Sequence, residues 1–271
     1  MNFGTGVPSI AGVSPMPSRF ATSAIVLRRR EYGDYDLIVT VLTRDHGKRT
    51  LIAKSAKKST KRFPGILEPF NDLQIAFRES SRKGMGVLEE ASLLQARGQV
   101  RSDFEKAAYA SYWVECVALW MEEGLVRPDM YHLLGFALRQ LDDQSMASDQ
   151  LSVLFQMRFI GQEGLRPILG NCACCQADID HLAQHDFCVN LGQGGVVCNQ
   201  CPTGEHGGLR LSKGTLKLLA WILDGDLAKA RRVRFSTRAM AEATTFLEAF
   251  VPYHIGKMPK SLRILQQTRQ L

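Results

Sequence analysis

The sequence predicts an α+β protein of several domains, in which an N-terminal OB-fold β-barrel precedes an α-helical domain that carries a four-cysteine zinc-binding insertion. Three observations predict this fold class. Short β-branched or aliphatic runs fill residues 21–98, the apolar spacing becomes helical from Asp103, and all but one of the seven cysteines lie from Cys172 to Cys201. With 271 residues, of which 45% are hydrophobic, the chain can fill the cores of about two domains.

The predicted barrel consists of short candidate strands separated by turn-forming residues. The strands are expected at residues 23–27, 37–42, 50–53, 73–77 and 87–94. Turns are expected at residues 32–34, 45–47 and 83–84, each of which contains glycine. Five short strands in some 75 residues fit the five-stranded OB-fold, although an SH3-like barrel would give almost the same pattern.

The first 20 residues are expected to form a flexible tail outside the fold. They are rich in glycine, proline and serine, carry no charge before Arg19 and lack the apolar run of a signal peptide. No stretch of the chain approaches the roughly 18–20 uninterrupted apolar residues that a membrane span needs. The sequence therefore predicts a cytoplasmic protein that does not associate with membranes.

Helical periodicity begins after the candidate strands. Asp103 suits the N-cap of a helix to Glu123 that is apolar on most sides and is therefore expected to be buried. Pro128 suits the first turn of another helix, and Ser212 and Ser236 suit two further N-caps. These helices are expected at about residues 128–141, 149–163, 213–224 and 237–253. The predicted boundaries are 1–20 for the tail, 21–98 for the OB-fold, 99–168 and 209–271 for the helical domain, and 169–208 for the zinc-binding insertion.

Two C-x2-C pairs, Cys172/Cys175 and Cys198/Cys201, predict one structural Zn²⁺ per chain. A two-residue gap lets both thiolates of a tight turn reach the same ion, and two such turns complete a tetrahedral shell. Four thiolates leave no open position for water or substrate, so the zinc would stabilise the local fold. Buried reduced thiols or a redox pair are the alternatives, but neither pair lies in a thioredoxin-like pattern.

The remaining cysteines and two nearby histidines are interpreted as loop or core residues. Cys174 could replace a ligand of the first pair, although its offset fits the turn less well, and Cys116 and Cys188 lie among apolar residues. His181 and His185 would share one face of a helix, which raises the alternative of a catalytic zinc. Because the glutamate of an H-E-x-x-H motif is missing, a zinc-dependent hydrolase is the weaker hypothesis.

Positive charge is concentrated towards the two ends of the chain. Of the net charge of +7, residues 1–80 carry +6, residues 81–160 carry −3 and residues 161–271 carry +4. The densest cationic segment is residues 44–62, and its residues 54–62 are expected to project as a flexible loop between two barrel strands. Lysines separated by hydroxyl side chains suit the phosphates of a nucleic-acid backbone, which they grip without selecting bases. The candidate DNA-binding residues are Arg28, Arg30, Lys48, Arg49, Lys54, Lys57, Lys58, Lys61 and Arg62.

The same segment allows a structural interpretation, in which its charges are simply solvated. Phe63, Phe70 and Phe77 would offer stacking faces to single-stranded bases, or would pack in the core, which is the commoner position for Phe70 and Phe77. A second basic group at residues 231–238 would extend the binding surface or complement a helix end. The chain has no phosphate-binding loop, dinucleotide fingerprint or nucleophile elbow, so ATP hydrolysis is not expected.

Several motifs together resemble a known family. Residues 35–48 (YDLIVTVLTRDHGK), 51–54 (LIAK) and 65–70 (GILEPF) resemble the N-terminal domain of bacterial RecO recombination-repair proteins. The two C-x2-C pairs, with glycines at 194–195 ahead of the second, resemble the zinc-bearing insertion of that family, and residues 260–265 (KSLRIL) resemble its C-terminal stretch. The resemblance covers roughly residues 20–265, and the long tail departs from the family pattern.

The resemblance implies an OB-fold, a helical domain and binding of single- and double-stranded DNA without enzymatic activity. It also implies annealing of complementary strands, a complex with RecR, and help in placing RecA on DNA coated by single-strand binding protein. Because some family members lack the cysteines, it implies that zinc is not essential to the activity. An RNA-binding module is the main alternative, since OB barrels also bind RNA.

Overall fold

The structure is a computed structural model that describes residues 18–79, 85–201, 208–230 and 232–270. Residues 1–17 of the expected tail, the expected turn at residues 83–84 and Arg231 lie outside the described residues. The first strand begins at Arg19, two residues before the predicted start of the OB-fold at residue 21.

Five strands form a closed barrel: β1 (Arg19–Tyr32), β2 (Asp36–Thr43), β3 (Gly47–Ala53), β4 (Asp72–Arg78) and β5 (Gly86–Gln95). Their order around the barrel is β1-β2-β3-β5-β4, with β1 closing on β4. All neighbours are antiparallel except β3 and β5, which run parallel. This closed five-stranded arrangement confirms the predicted OB-fold.

Strand β1 joins the barrel to the helical domain because, over residues 24–27, one of its faces packs in the barrel and the other against the helices. Ala24 and Val26 lie in the barrel core, whereas Ile25 and Leu27 pack in the core of the helical domain. A bulge follows between Val26 and Arg28, after which the polar residues 28–32 still pair with β2. The sequence pattern concealed this second half of β1, since it lacks apolar alternation.

The connection between β3 and β4 is anchored to the barrel. Ala56, Phe63 and Leu67 are buried in the barrel core, and one turn of 3-10 helix spans Ala56–Lys58. The expectation of a freely projecting loop is therefore wrong, because three apolar side chains hold the connection in place. Its basic side chains are exposed on a fixed segment.

Helices make up most of the remainder: α1 (Gly98–Ser102), α2 (Phe104–Trp120), α3 (Pro128–Asp142), α4 (Ser148–Gln162), α5 (Lys213–Asp224), α6 (Leu227–Ala230), α7 (Thr237–Ile255) and α8 (Lys260–Thr268). The three predicted N-caps are confirmed, since the side chains of Asp103, Ser212 and Ser236 each accept a hydrogen bond from the backbone N–H three residues later. Helix α2 is buried over much of its length, as predicted, and its Trp113 and Tyr112 are inaccessible to solvent, although Phe104 at its start is exposed.

A small three-stranded sheet supports the cysteine region. Its strands β6 (Asp186–Asn190), β7 (Gly195–Val197) and β8 (Arg210–Ser212) are arranged in the order β7-β6-β8. The middle strand alternates, because Phe187 and Val189 pack in the helical core while Cys188 joins Cys172 and Cys198 in a separate small core. The sequence did not predict this sheet, whose strands are three to five residues long.

Among the described residues, no helix combines the length and apolar character that crossing a membrane would require.

Candidate metal centre and nucleic-acid interface

The two C-x2-C pairs converge on one point. The Sγ atoms of Cys172, Cys175, Cys198 and Cys201 all lie within 4.8 Å of one another. Cys198 Sγ is 3.7 Å from the Sγ of Cys175 and 3.6 Å from that of Cys201. A tetrahedral ion with Zn–S bonds of about 2.3 Å requires sulfur atoms about 3.8 Å apart. The predicted ligand set therefore has the geometry of one metal ion.

Backbone N–H groups prepare the first thiol to act as a ligand. The N–H of Cys198 lies 3.3 Å from the Sγ of Cys172. Burial alone would raise the pKa of the Cys172 thiol, but N–H groups of Cys175, Cys198 and Cys174 lower this pKa to about 6. Thiolates are the form that binds metal, so the site chemistry suits a cation such as Zn²⁺.

The other candidate ligands do not belong to the four-thiol group among the described residues. Cys174 is exposed, Cys116 is buried in α2, and Cys188 accepts a hydrogen bond from Arg210 at 3.3 Å. The exposed His181 is 3.5 Å from Asp178, and neither it nor His185 joins the four thiols in the described part of the chain. The hypothesis of a catalytic zinc therefore gains no geometric support.

Most of the candidate DNA-binding cations lie on two neighbouring segments. Residues 28–36 comprise the end of β1 and the turn to β2, and residues 54–62 begin the connection from β3 to β4; we call them together the basic cluster. The two segments contain eight cations and three carboxylates. Arg28, Arg30, Lys54 and Lys61 are exposed and make no ion pair within the described residues.

Contacts between the two segments fix the geometry of the basic cluster. The backbone N–H of Lys57 donates to the Tyr35 carbonyl at 3.0 Å, and its ammonium lies 2.8 Å from Glu31. That contact with Lys57 lowers the pKa of the Glu31 carboxyl. The ammonium of Lys58 lies 3.5 Å from the centroid of the Tyr35 ring. Arg62 donates to the carbonyl of Lys54 at 2.9 Å, which holds the far end of the segment.

Comparison with known proteins decides the family. A model described as "Recombination protein O N terminal" matches residues 16–97, and one described as "Recombination protein O C terminal" matches residues 101–263. The DNA repair protein RecO of Desulfosudis oleivorans is 41% identical over 256 residues, which cover 92% of this chain and 98% of the relative. That of Desulfatibacillum aliphaticivorans is 40% identical over 250 residues, with 92% and 97% covered.

The chain belongs to the RecO family. The same name, DNA repair protein RecO, is carried by a Bacillus subtilis relative that is 28% identical over 247 residues, with 91% of this chain and 94% of the relative covered. Membership of the RecO family assigns the chain to DNA repair, as the resemblance implied.

Two candidate DNA-binding residues of this RecO chain are engaged where the barrel meets the helices. The ammonium of Lys48 donates to the carbonyl of Ala118 in α2 at 2.8 Å. Arg49 donates to the carbonyl of His46 at 2.9 Å and lies 3.5 Å from Glu79. The contribution of Lys48 and Arg49 to DNA binding stays a prediction. Their contacts show that both side chains also stabilise the fold.

The three phenylalanines that had two interpretations, as stacking faces or as core residues, lie in the core. Phe63, Phe70 and Phe77 are buried, so the stacking interpretation is wrong for them and the structural one is confirmed. Tyr32 and Tyr35 are instead the exposed aromatic residues of the basic cluster, with 52% and 47% of their surfaces accessible. In the sequence these two tyrosines flank the turn glycine Gly33, and that position could have identified them as exposed aromatic residues.

The second basic group divides into two parts. Arg238 in α7 pairs with Glu242 one turn later and with Asp186 of β6, so it links α7 to the cysteine region. Arg232 and Arg234 border an open groove near the start of α4. Of these three arginines, Arg238 is the one whose described contacts hold a helix in place.

Proposed function

We propose that this RecO protein is a non-enzymatic DNA-binding recombination mediator that holds single- and double-stranded DNA through the basic cluster. The observation that carries the proposal is the excess of five positive charges on two segments that are fixed to each other and to the barrel. Cations in a fixed array attract a phosphate backbone and release its counterions, whatever the base sequence. An anchored array also loses less conformational entropy on binding than a free loop would.

The site residues that we propose to contact phosphates directly are Arg28, Arg30, Lys54, Lys57, Lys58, Lys61 and Arg62. All of them except Lys57 lack an ionic partner among the described residues, so DNA would not first have to displace an acidic side chain from these six. Lys57 is paired with Glu31 on an exposed surface, where such pairs contribute little energy and are readily exchanged. Lys48 and Arg49 would add to the positive potential from the joint between barrel and helices.

Membership of the RecO family supports a proposal for the finer activities. We propose that the protein anneals complementary strands coated by single-strand binding protein and, together with RecR, helps to place RecA on them. A sequence-independent phosphate grip suits annealing, because both strands must be held without reading their bases. The place of action would be the cytoplasm, at the nucleoid.

We propose that the four cysteines hold one structural Zn²⁺ per chain. The sulfur positions support a metal that ties residues 172–175 to residues 198–201. With four thiolate ligands the ion would contribute to local folding and would not activate water. The domain boundaries predicted from the sequence are retained as proposals for the units that fold together.

An annealing assay tests the proposed function. Complementary strands coated with single-strand binding protein should anneal faster when this protein is added, and RecR should change that rate. Matched DNA and RNA strands should be compared in the same assay. No acceleration with either nucleic acid would refute the proposal, and acceleration confined to RNA would favour the RNA-binding alternative.

A further inference from the structure

Two tyrosines stand at the turn between β1 and β2, in the middle of the basic cluster. Tyr32 ends β1 and pairs with Asp36 across the turn, and Tyr35 lies between them in sequence. The two residues are 52% and 47% exposed, and neither belongs to the hydrophobic cores of the described residues. Their side chains therefore do not contribute to the packing of either core.

The turn between β1 and β2 is held by contacts of its backbone, in which the tyrosine rings take no part. Gly33 has φ +58°, and Lys57 donates to the carbonyl of Tyr35 and contacts the carbonyl of Gly33 at 3.4 Å. A Cβ at Gly33 would meet no atom within 4 Å, so the space beside the turn is open. The fold needs a turn here, but it does not need aromatic side chains at both ends of it.

The charges around the rings identify the class of ligand. The ammonium of Lys58 lies over the Tyr35 ring, and Lys57, Arg28 and Arg30 belong to the same cluster. A flat apolar face beside several cations matches a nucleotide, which joins a flat base to a phosphate. In a duplex the bases are already stacked on one another, so only unpaired bases can use such a face.

We infer that Tyr32 and Tyr35 form a stacking platform for the unpaired bases of single-stranded DNA. The inference rests on the proposed DNA binding and deepens it: the cations grip any DNA backbone, and the tyrosines add affinity only where bases are free. The protein would then favour single strands over duplexes at the same site, without preference for base sequence. In the free protein Lys58 covers part of one ring, and a base packs on the accessible part.

Single substitutions test the platform at constant charge. Tyr32→Leu and Tyr35→Leu should each weaken binding of a thymidine oligonucleotide of about 16 nucleotides by about 5- to 150-fold, which is the range for loss of one base-stacking contact. Tyr35→Phe keeps the ring and should bind as the unchanged protein does. Tyr253→Leu is the matched control, because Tyr253 is 47% exposed but lies in α7, away from the cluster.

An abasic strand and a duplex separate the tyrosines from the cations. The abasic strand retains the phosphates without bases, so the leucine variants should bind it as tightly as the unchanged protein, and the same should hold for a blunt duplex. A Tyr35→Trp variant should show fluorescence quenching by the thymidine strand and none by the abasic strand.

The possible failures are distinguishable. Undiminished binding of the thymidine strand by both leucine variants would overturn the platform while leaving the proposed DNA binding intact. Equal losses for the abasic strand would show that the substitutions disturb the cations, which also overturns it. If the unchanged protein bound neither strand nor duplex, the proposed function itself would fail.

Discussion

The ammonium of Lys48 in β3 donates a hydrogen bond to the carbonyl oxygen of Ala118, near the end of α2, at 2.8 Å. A backbone hydrogen bond joins the same two parts of the chain, since the N–H of Gly124 donates to the carbonyl of Lys48 at 2.9 Å. The barrel is thus joined to the helical domain through β3, the strand that carries the candidate DNA-binding residues Lys48 and Arg49.

Replacing Lys48 by methionine should destabilise the protein. The substitution keeps most of the apolar stem but leaves the Ala118 carbonyl without its charged donor, which we expect to cost about 1–2 kcal/mol. Urea unfolding measures this loss, and DNA affinity should fall less than it does for Lys58→Met. A Lys48→Met protein of unchanged stability with strongly reduced DNA affinity would show that the side chain serves the DNA instead.

A methyl group at Gly47 should disrupt the same joint. Gly47 has φ +69°, and a Cβ there would lie 2.2 Å from the backbone oxygen of Leu125, which cannot move independently. We expect Gly47→Ala to lower the free energy of unfolding by more than about 3 kcal/mol. Gly65→Ala is the control, because Gly65 has φ +68° but open space around its Cβ, and should cost only about 1 kcal/mol. Equal losses at the two positions would contradict the close approach.

Much of this architecture was accessible from the sequence. The barrel strands, the buried helix α2 and the caps Asp103, Ser212 and Ser236 depend on local patterns that the sequence displays. Helix α8 was not predicted, because the group that caps it is remote: the Glu115 carboxylate accepts from the N–H groups of Lys260 and Ser261 at 3.1 and 2.8 Å. Caps supplied by a residue far away in the sequence cannot be detected from the local apolar pattern.

The candidate metal site was easier to predict from the sequence than the candidate DNA-binding surface. The candidate metal centre could be predicted from the spacing of four cysteines, since each pair fixes its own turn. The cationic residues were also visible, but whether a given lysine faces solvent or the joint depends on which strands pair. Only tertiary structure separates Lys48 from Lys58, or the buried Phe63 from the exposed Tyr35.

Replacing Cys175 by serine should remove the bound metal. The unchanged protein is expected to contain one zinc per chain with sulfur ligation, measured by metal analysis and X-ray absorption. Cys175→Ser should lose most of the zinc and unfold more readily in the cysteine region, because metal binding and local folding are coupled. Cys174→Ser is the control and should retain the metal. Mixed nitrogen and sulfur ligation in the unchanged protein would contradict the four-thiolate assignment.

The carboxylate of Glu242 should make stability depend on pH. Partial burial alone would raise its pKa, but hydrogen bonds from Thr215, Ser212 and Arg238 lower the pKa from 4.5 to about 2. Because the folded-state pKa is the lower one, this contribution is present above about pH 4.5 and is lost as the pH falls towards 2. Glu242→Gln should therefore cost about 1–2 kcal/mol at neutral pH. Unfolding curves at several pH values measure the difference, and a loss that persisted undiminished at pH 2 would contradict this origin.

The salt dependence of DNA binding tests the central claim most directly. If about five phosphates are neutralised, the logarithm of the binding constant for single-stranded DNA should fall with the logarithm of salt concentration with a slope of about −3.5. Replacing Lys54, Lys57, Lys58, Lys61 and Arg62 by alanine should weaken binding and flatten the slope, leaving only the part that Arg28 and Arg30 supply. The control replaces five exposed cations elsewhere, Arg166, Lys217, Lys257, Lys260 and Arg263, and should keep most of the slope. A steep slope retained by the first variant, or lost equally by the control, would contradict the assignment of the DNA-binding surface to the basic cluster.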